Sequence, residues 1–198
     1  MRIGVVGLGT GTLAAFGRRG DYLRFYEVNP DVLRLAAGPR ALFTYLRDTP
    51  AAVDTVLGDA RLALERELAA GDAQEFDVLA IDAFSSDAIP IHLLTEQAFG
   101  IYLAHLRDPR GVIAVHISNR FLDLAPVLAG VAARFGLAYA LIDTDRNDAE
   151  WGSTWVLLTH DAGWLQTPAI AAAASEKPPR RVLRWTDDFS NLLSVLKL

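Results

Sequence analysis

The sequence predicts an α/β domain built on a doubly wound, mostly parallel seven-stranded sheet. Three observations support this prediction: short β-branched runs alternate with longer helical patterns, the first run ends in a glycine-rich turn, and acidic residues end the next runs. With 198 residues, 52% of them hydrophobic, the chain has the length and apolar content of one ordinary globular domain. We therefore assign residues 1–198 to a single domain.

Seven apolar runs predict strands, and their alternation with helices is typical of a sheet covered on both faces. The predicted strands are Arg2 to Gly7, Leu23 to Glu27, Val53 to Leu57, Phe76 to Asp82, Val112 to Ile117, Leu137 to Ile142 and Thr154 to Thr159. No helical pattern separates the last two runs, which predicts an antiparallel strand at one edge of the sheet.

Helical patterns fill the segments between the other strands. The predicted helices are a short one after Gly11, Pro30 to Ala37, Ala60 to Ala70, Leu93 to Leu106 and Leu122 to Phe135. Residues 168–181 are rich in Ala and Pro, which predicts a loose linker. A final helix is expected over DDFSNLLSVLK, with Thr186 or Asp187 as its N-cap.

Composition and charge argue against several classes of protein. The formal net charge is -5 and the basic residues are dispersed, whereas nucleic-acid binding needs clustered Lys and Arg. The chain has no cysteine, and its 4 histidines lack the paired spacing of a metal site. No apolar run reaches the roughly 18 residues of a membrane span. We therefore expect a cytoplasmic protein with no metal and no nucleic-acid partner.

A glycine-rich turn, VVGLGTGT, follows the first predicted strand and contributes Gly7, Gly9 and Gly11. Glycines there allow positive φ and let backbone amides approach a ligand, although a tight strand-to-helix turn would also use them. The dinucleotide fingerprint needs a small residue where this chain has Thr12, which disfavours NAD. The Gly-x-Gly-x-Gly spacing favours a nucleoside instead.

Acidic residues end the next three predicted strands. Glu27 ends the second in FYEVNP, Asp59 follows the third in VLGDAR, and Asp82 ends the fourth. Glu27 can accept hydrogen bonds from a ribose diol. Asp59, with Ala60 beside it, is either a helix N-cap or an acceptor for an adenine amino group. Because these strand ends meet at one edge of the sheet, we expect the acids to converge on one crevice.

Together, the glycine turn and the acids resemble the S-adenosylmethionine site of class I methyltransferase-like proteins, which have a Rossmann-like fold. The resemblance implies that the glycine turn surrounds the amino-acid or propylamine end of the ligand. It also implies that Glu27 binds the ribose, and that Asp59 with Ala60 contacts the adenine.

Within that superfamily, IDAFSSDAIPIHLLTEQAF is similar to the signature of spermidine synthases, the polyamine aminopropyltransferases. The resemblance implies that Asp82 takes the proton from the attacking amine and that Asp87 holds a substrate ammonium. These two acids lie further apart here than in the usual pattern, and Ala88 stands where proline is usual.

The resemblance covers nearly the whole chain, including GVIAVHISNR, Trp155 to Leu158 and WTDDFSNLLSVLK. It extends to spermidine synthase-like domains fused behind membrane transporter segments, so such a segment in a longer natural protein stays open. Spermidine synthases carry an N-terminal β-hairpin region that completes their amine pocket and through which they assemble. No such region precedes the first strand here, which leaves a homodimer open.

The reaction that the resemblance implies is aminopropyl transfer from decarboxylated S-adenosylmethionine to a diamine such as putrescine. His116 lies near the end of the fifth predicted strand, and Ser118 and Asn119 follow it. These residues are expected to line the amine pocket or to satisfy their own loop. Trp151 and Trp155 are expected to face the substrate chain, or to pack in the core.

Three other functions stay open on the sequence. A small-molecule methyltransferase that uses S-adenosylmethionine would have the same glycine turn and acids, but Asp87 argues against it. A non-catalytic domain that senses nucleoside or polyamine for an attached transporter is the second alternative. An NAD-dependent enzyme is the third, and Thr12 argues against it.

Overall fold

The computed structural model describes residues 1–83, 90–144, 152–175 and 181–197, and one sheet of seven strands forms its centre. The strands are β1 Arg2–Val6, β2 Tyr22–Glu27, β3 Ala52–Leu57, β4 Val78–Ile81, β5 Val112–His116, β6 Ala138–Thr144 and β7 Ser153–Thr159. They lie in the order β3-β2-β1-β4-β5-β7-β6. Every predicted strand is present, and the predicted doubly wound α/β fold is confirmed.

Strand directions locate the crevice of this sheet. Strands β1 to β5 run parallel, and β7 is antiparallel to both of its neighbours, β5 and β6. The predicted antiparallel strand is therefore β7, which lies one position inside the edge strand β6. The order of the strands reverses between β1 and β4. Such a switch point opens a crevice beyond the carboxyl ends of the strands.

The helices lie between the strands, largely as predicted. In the part of the chain that the structure describes, they are α1 Pro30–Ala37, α2 Tyr45–Asp48, α3 Ala60–Ala69, α4 Glu96–Ala104, α5 Ala125–Phe135, α6 Ala162–Leu165 and α7 Pro168–Ala173. Short 3-10 helices cover Thr12–Phe16, Ile91–Leu93 and Leu192–Val195. Helices α4 and α5 begin later than predicted, and α7 occupies the start of the predicted linker. None of these described helices is long and apolar enough to cross a bilayer.

Side-chain caps set where α3 and α4 begin. The Asp59 side chain accepts a hydrogen bond from the Leu62 amide, and the Thr95 side chain accepts one from the Ala98 amide. A cap oxygen satisfies an amide that has no partner inside its helix. The apolar pattern alone placed the start of α4 too early because it also includes the preceding 3-10 turn.

Both faces of the sheet are buried, because alternate residues of each strand enter different apolar clusters. Val5 belongs to the cluster that includes residues of α1, and Val6 belongs to the larger cluster that includes residues of α3, α4 and α5. In that larger cluster, Phe76, Phe99 and Tyr102 are wholly buried. The edge of the sheet that carries the acids is therefore supported from both sides.

The chain end, residues 181–197, is a strap and not the predicted final helix. Thr186 and Phe189 exchange backbone hydrogen bonds in a tight turn, and only Leu192–Val195 is helical, as a 3-10 helix. An isolated helix of this length is marginal in water, so tertiary contacts decide its conformation. The prediction of a helix over DDFSNLLSVLK was therefore wrong.

Contacts from Asp187 fasten this strap to α3 and α4. Arg61 of α3 donates two hydrogen bonds to the Asp187 carboxylate, at 2.7 and 2.6 Å, and the Thr95 hydroxyl donates a third at 2.7 Å. The Asp187 amide donates to Gln97 Oε1 at 3.2 Å. Asp187 therefore caps no helix of its own and instead joins the first turns of two others.

Candidate functional site

A cleft of about 560 Å³ opens at the carboxyl ends of β1 to β4, at the switch point of the sheet. Its volume lies in the range of small-molecule sites. Six residues of the predicted site are among those that line it: Gly7, Gly9, Glu27, Asp59, Ala60 and Asp82. The structure therefore brings the three acids together as the sequence predicts.

The glycine turn forms one wall of the cleft. At Gly7, φ is 95° and a Cβ would overlap the carbonyl of Asp82. At Gly9, φ is 53° and a Cβ would point into open space, so a ligand can approach the backbone there. Gly11 instead faces Leu46 of α2 and lies outside the described lining of the cleft. Its assignment to the ligand stays a prediction.

Glu27 is held by backbone amides on both sides. Its Oε2 accepts a hydrogen bond from the Leu8 amide at 2.9 Å, and its Oε1 accepts one from the Asn29 amide at 2.8 Å. Although Glu27 is only 8% exposed, it lines the cleft. Each carboxylate oxygen has a second lone pair, so Glu27 can still accept hydrogen bonds from a ligand.

Asp59 caps α3 and lines the cleft with the same side chain. Its Oδ1 accepts from the Leu62 amide at 2.9 Å, and its Oδ2 lies 2.9 Å from His92 Nε2. Burial alone would raise the pKa of Asp59, but the hydrogen bonds from Leu62 and His92 outweigh burial and lower the pKa. The N-cap interpretation is confirmed, and the carboxylate is ionised at neutral pH.

Asp82 joins the end of β4 to both of its neighbouring strands. Its amide donates to the Val6 carbonyl of β1 at 2.8 Å, and its Oδ1 lies 2.7 Å from Nδ1 of His116, the last residue of β5. The side chain of Asp82 is 33% exposed, and it lines the cleft. Asp82 is thus accessible to a ligand on one side and paired with an imidazole on the other.

His116 lies behind Asp82, where two further side chains fix its ring. Nε2 lies 2.7 Å from Ser118 Oγ, and the ring stacks on Trp155 with centroids 4.6 Å apart and planes 12° from parallel. Trp155 lies opposite His116 in the β5–β7 register. Neither His116 nor Trp155 is among the described residues that line the cleft, and His116 reaches it through Asp82. Their assignment to the amine substrate stays a prediction.

Two solved structures of similar fold are described as spermidine synthases. Spermidine synthase from Thermotoga maritima matches with a TM-score of 0.56 and 14% identity, over 100% of this chain and 65% of that chain. A probable spermidine synthase from Corynebacterium glutamicum matches with a TM-score of 0.57 and 21% identity, over 81% of this chain and 56% of that chain. This chain has a spermidine synthase-like fold.

At these identities the likeness concerns the fold alone. The strand order and these two solved structures confirm the class I methyltransferase-like fold that the sequence motifs predict. The chain spans less than two thirds of the length of either solved structure. No protein-family model matches the sequence, and no curated protein matches it at a significant level. The transporter segment stays a prediction.

Two features of this cleft were not predicted from the sequence. One is His92, a half-exposed lining residue that contacts Asp59. The other is the Asp82–His116 pair. The sequence did contain a signal for the contact between His116 and Ser118. The two residues are two positions apart, and side chains at that spacing leave an extended chain on the same side. The pair with Asp82 could be predicted only from the register of β4 against β5.

Two residues from the sequence analysis, Asp87 and Trp151, lie outside the described residues. Within the described ranges, no three His, Asp or Glu side chains gather in a group that could hold a metal ion.

Proposed function

We propose that the chain is an aminopropyltransferase that moves the aminopropyl group of decarboxylated S-adenosylmethionine to a diamine such as putrescine. One observation carries the proposal: the carboxylates of Glu27, Asp59 and Asp82 line one cleft beside the exposed backbone of a glycine turn. Carboxylates at these strand ends suit a nucleoside that also carries positive charge.

The charge of the cleft favours the decarboxylated donor. That donor has a sulfonium and an ammonium and lacks a carboxylate, so all its charges are attracted by the acids. Ordinary S-adenosylmethionine would bring its own carboxylate toward Asp82, and the like charges would repel each other. Asp59 contributes to this field because its lowered pKa keeps it ionised.

Each acid then has a separate task in holding the donor. Glu27 accepts hydrogen bonds from the two ribose hydroxyls with its remaining lone pairs. Asp59, with Ala60 beside it, accepts from the adenine amino group. The propylamine end lies against the backbone at Gly9, which directs the reacting carbon toward Asp82.

The reaction proposed for this geometry is an in-line displacement. A diamine nitrogen with a pKa of about 10 is almost wholly protonated at neutral pH, so a base must take one proton before the nitrogen can attack. Asp82 takes that proton. The nitrogen lone pair forms a bond to the propyl carbon next to the sulfonium, and the carbon–sulfur electron pair returns to sulfur. The products are the aminopropylated diamine and methylthioadenosine.

The experiment that tests donor choice is calorimetric titration with decarboxylated S-adenosylmethionine, S-adenosylmethionine and methylthioadenosine. We expect the decarboxylated donor to bind about tenfold or more tightly than S-adenosylmethionine, as expected from charge repulsion. Tighter binding of S-adenosylmethionine would instead identify a methyl-transfer site. Failure of all three to bind would overturn the assignment of the cleft to a nucleoside.

Turnover is tested by incubating the chain with the decarboxylated donor and putrescine and measuring methylthioadenosine. Asp82→Asn should abolish product formation while leaving donor binding largely intact. Asp188→Asn is the matched control, because it makes the same chemical change on an exposed residue of the strap. Unaltered turnover in Asp82→Asn would remove Asp82 from the mechanism.

A further inference from the structure

The pairing of Asp82 with His116 follows from the central strands of the sheet. Strands β4 and β5 are parallel neighbours, with Ile81 opposite Val115, so the next residue of each strand projects at the same level. The resulting contact joins Asp82 Oδ1 to His116 Nδ1 at 2.7 Å, across 34 residues of sequence. This distance lies within the range of a nitrogen–oxygen hydrogen bond.

The hydrogen positions in this chain of contacts follow from the role of Asp82 as the base of the proposed reaction. At one end the Thr154 amide, which can only donate, donates to Ser118 Oγ at 2.7 Å. At the other end a base must present a carboxylate, which can only accept, so His116 Nδ1 carries the hydrogen in the proposed reaction. In the neutral imidazole the other nitrogen, Nε2, then accepts from the Ser118 hydroxyl at 2.7 Å.

The ring is also fixed in its plane. The stack on Trp155 stops rotation out of the plane, while the two hydrogen bonds define the direction of the ring within it. The side chain of His116 is 21% exposed, so little water competes for these partners. A histidine held in this way can orient a neighbouring carboxylate without touching the substrate.

We propose that His116 is the positioning residue of the transfer step, a role that rests on the proposed function. His116 engages Oδ1 of Asp82, which leaves Oδ2 as the oxygen that meets the acceptor amine in the cleft. The amine proton moves to Oδ2, while Oδ1 keeps its hydrogen bond from Nδ1. Ser118 acts through His116 by holding Nε2 as an acceptor, which preserves the Nδ1–H form.

Two substitutions separate the hydrogen bond from the packing of the ring. His116→Phe keeps an aromatic ring on Trp155 but removes the donor to Asp82. His116→Asn loses the ring but places an amide N–H near the position of Nδ1. We expect His116→Phe to lower kcat by about tenfold to a hundredfold with little change in KM for the nucleoside donor, and His116→Asn to restore most of the loss.

The kinetic result overturns the proposal in either of two ways. If His116→Phe turns over like the wild-type chain, the hydrogen bond does not matter to the transfer step. If His116→Asn is no better than His116→Phe, a hydrogen bond donated to Oδ1 does not restore the rate, and the positioning role is overturned. Thermal unfolding of both variants shows whether a lower kcat reflects fewer folded molecules.

A second measurement needs no activity. Nitrogen-15 NMR of the histidines in the ligand-free chain should show His116 as the Nδ1–H form, and Asp82→Asn should shift the Nδ1 signal. An Nε2–H form in the wild-type chain would overturn the pairing, whatever the activity. A chain with the Nδ1–H form that transfers nothing would overturn the positioning role together with the proposed reaction, and would show that the pairing itself is not at fault.

Discussion

Glu27 at the end of β2 and Asp82 directly after β4 both line the cleft, yet different groups hold the two carboxylates. Glu27 accepts from two backbone amides, those of Leu8 and Asn29, one of which is two residues away. Asp82 has a side-chain partner, His116, which in turn depends on Ser118. The first carboxylate is therefore fixed by the course of the backbone, and the second by other side chains.

This difference bears on how each side of the cleft can change. Every residue except proline has a backbone N–H, so the Glu27 side tolerates substitution of its neighbours by other residues as long as the turn is kept. The Asp82 side can be altered by a single substitution at His116 or Ser118. We infer that ligand binding depends on the first side and that the reaction rate is adjusted on the second.

Gly7→Ala should have the largest effect and should disturb both sides of the cleft, because Gly7 lies where β1 meets the end of β4. A residue with a Cβ loses about 1–2 kcal/mol at positive φ. The overlap with the Asp82 carbonyl adds about 1–3 kcal/mol. We expect a clear fall in the free energy of unfolding, measured with urea, and loss of donor binding.

Gly9→Ala is the matched control for stability, since its φ is also positive but its Cβ would meet nothing within 4 Å. Gly9→Ala should lower the free energy of unfolding only by the part that comes from a Cβ at positive φ. Equal destabilisation by the two substitutions would contradict the close contact between Gly7 and Asp82.

Glu27→Gln should sharpen the contrast between the two carboxylates. Glutamine can accept from only one of the two amides, because its NH₂ group faces the other, and a buried donor without a partner costs about 1–3 kcal/mol. We expect donor affinity to fall by about tenfold to a hundredfold in calorimetry, since the ribose contact is lost as well. Asp82→Asn, measured beside it, should bind the donor almost normally. If both variants lost affinity equally, the division between binding and rate would be wrong.

The smallest expected effect concerns Asp187, which ties the strap to α3 and α4. The hydrogen bonds from Arg61 lower the pKa of Asp187 to about 2. A lowered acid pKa means that the stabilisation is complete above the unfolded value of 3.8 and is lost as the pH falls through about 2. Asp187→Asn should therefore reduce stability by less than about 1 kcal/mol at neutral pH, because the pair is partly exposed.

The check on Asp187 is a series of urea unfolding curves at decreasing pH. The gap in stability between the wild-type chain and Asp187→Asn should narrow below about pH 4. A gap that stays constant at acid pH would show that the carboxylate charge plays no part in holding the strap.

Local signals predicted much of the fold. Helix α1 begins at Pro30 after Asn29, whose side chain accepts from the Asp31 amide, and it ends before Gly38. Each of these signals lies within a few residues of the helix end that it marks, so a short stretch of sequence is enough to predict the helix. The same applies to the glycine turn and to the acids that end β2 and β4. Their convergence followed from the parallel sheet alone.

Long-range contacts account for what sequence analysis missed. The helix expected at the chain end is absent because Arg61 and Gln97 bind Asp187 from distant helices. Gly11 faces Leu46, which belongs to α2, a helix that the apolar pattern did not predict. The Asp82–His116 contact required the register of two strands. In each case the deciding partner is far away in sequence.

The strap has a consequence for the order in which the molecule is made. Asp187 leaves the ribosome 126 residues after Arg61, its partner on α3. All seven strands and the three carboxylates of the cleft are synthesised before it. The nascent chain can therefore assemble its sheet while α3 and α4 still lack the contact that joins their first turns. Closure of that contact therefore follows the synthesis of every strand of the sheet, and the first turns of α3 and α4 stay unjoined until Asp187 has left the ribosome.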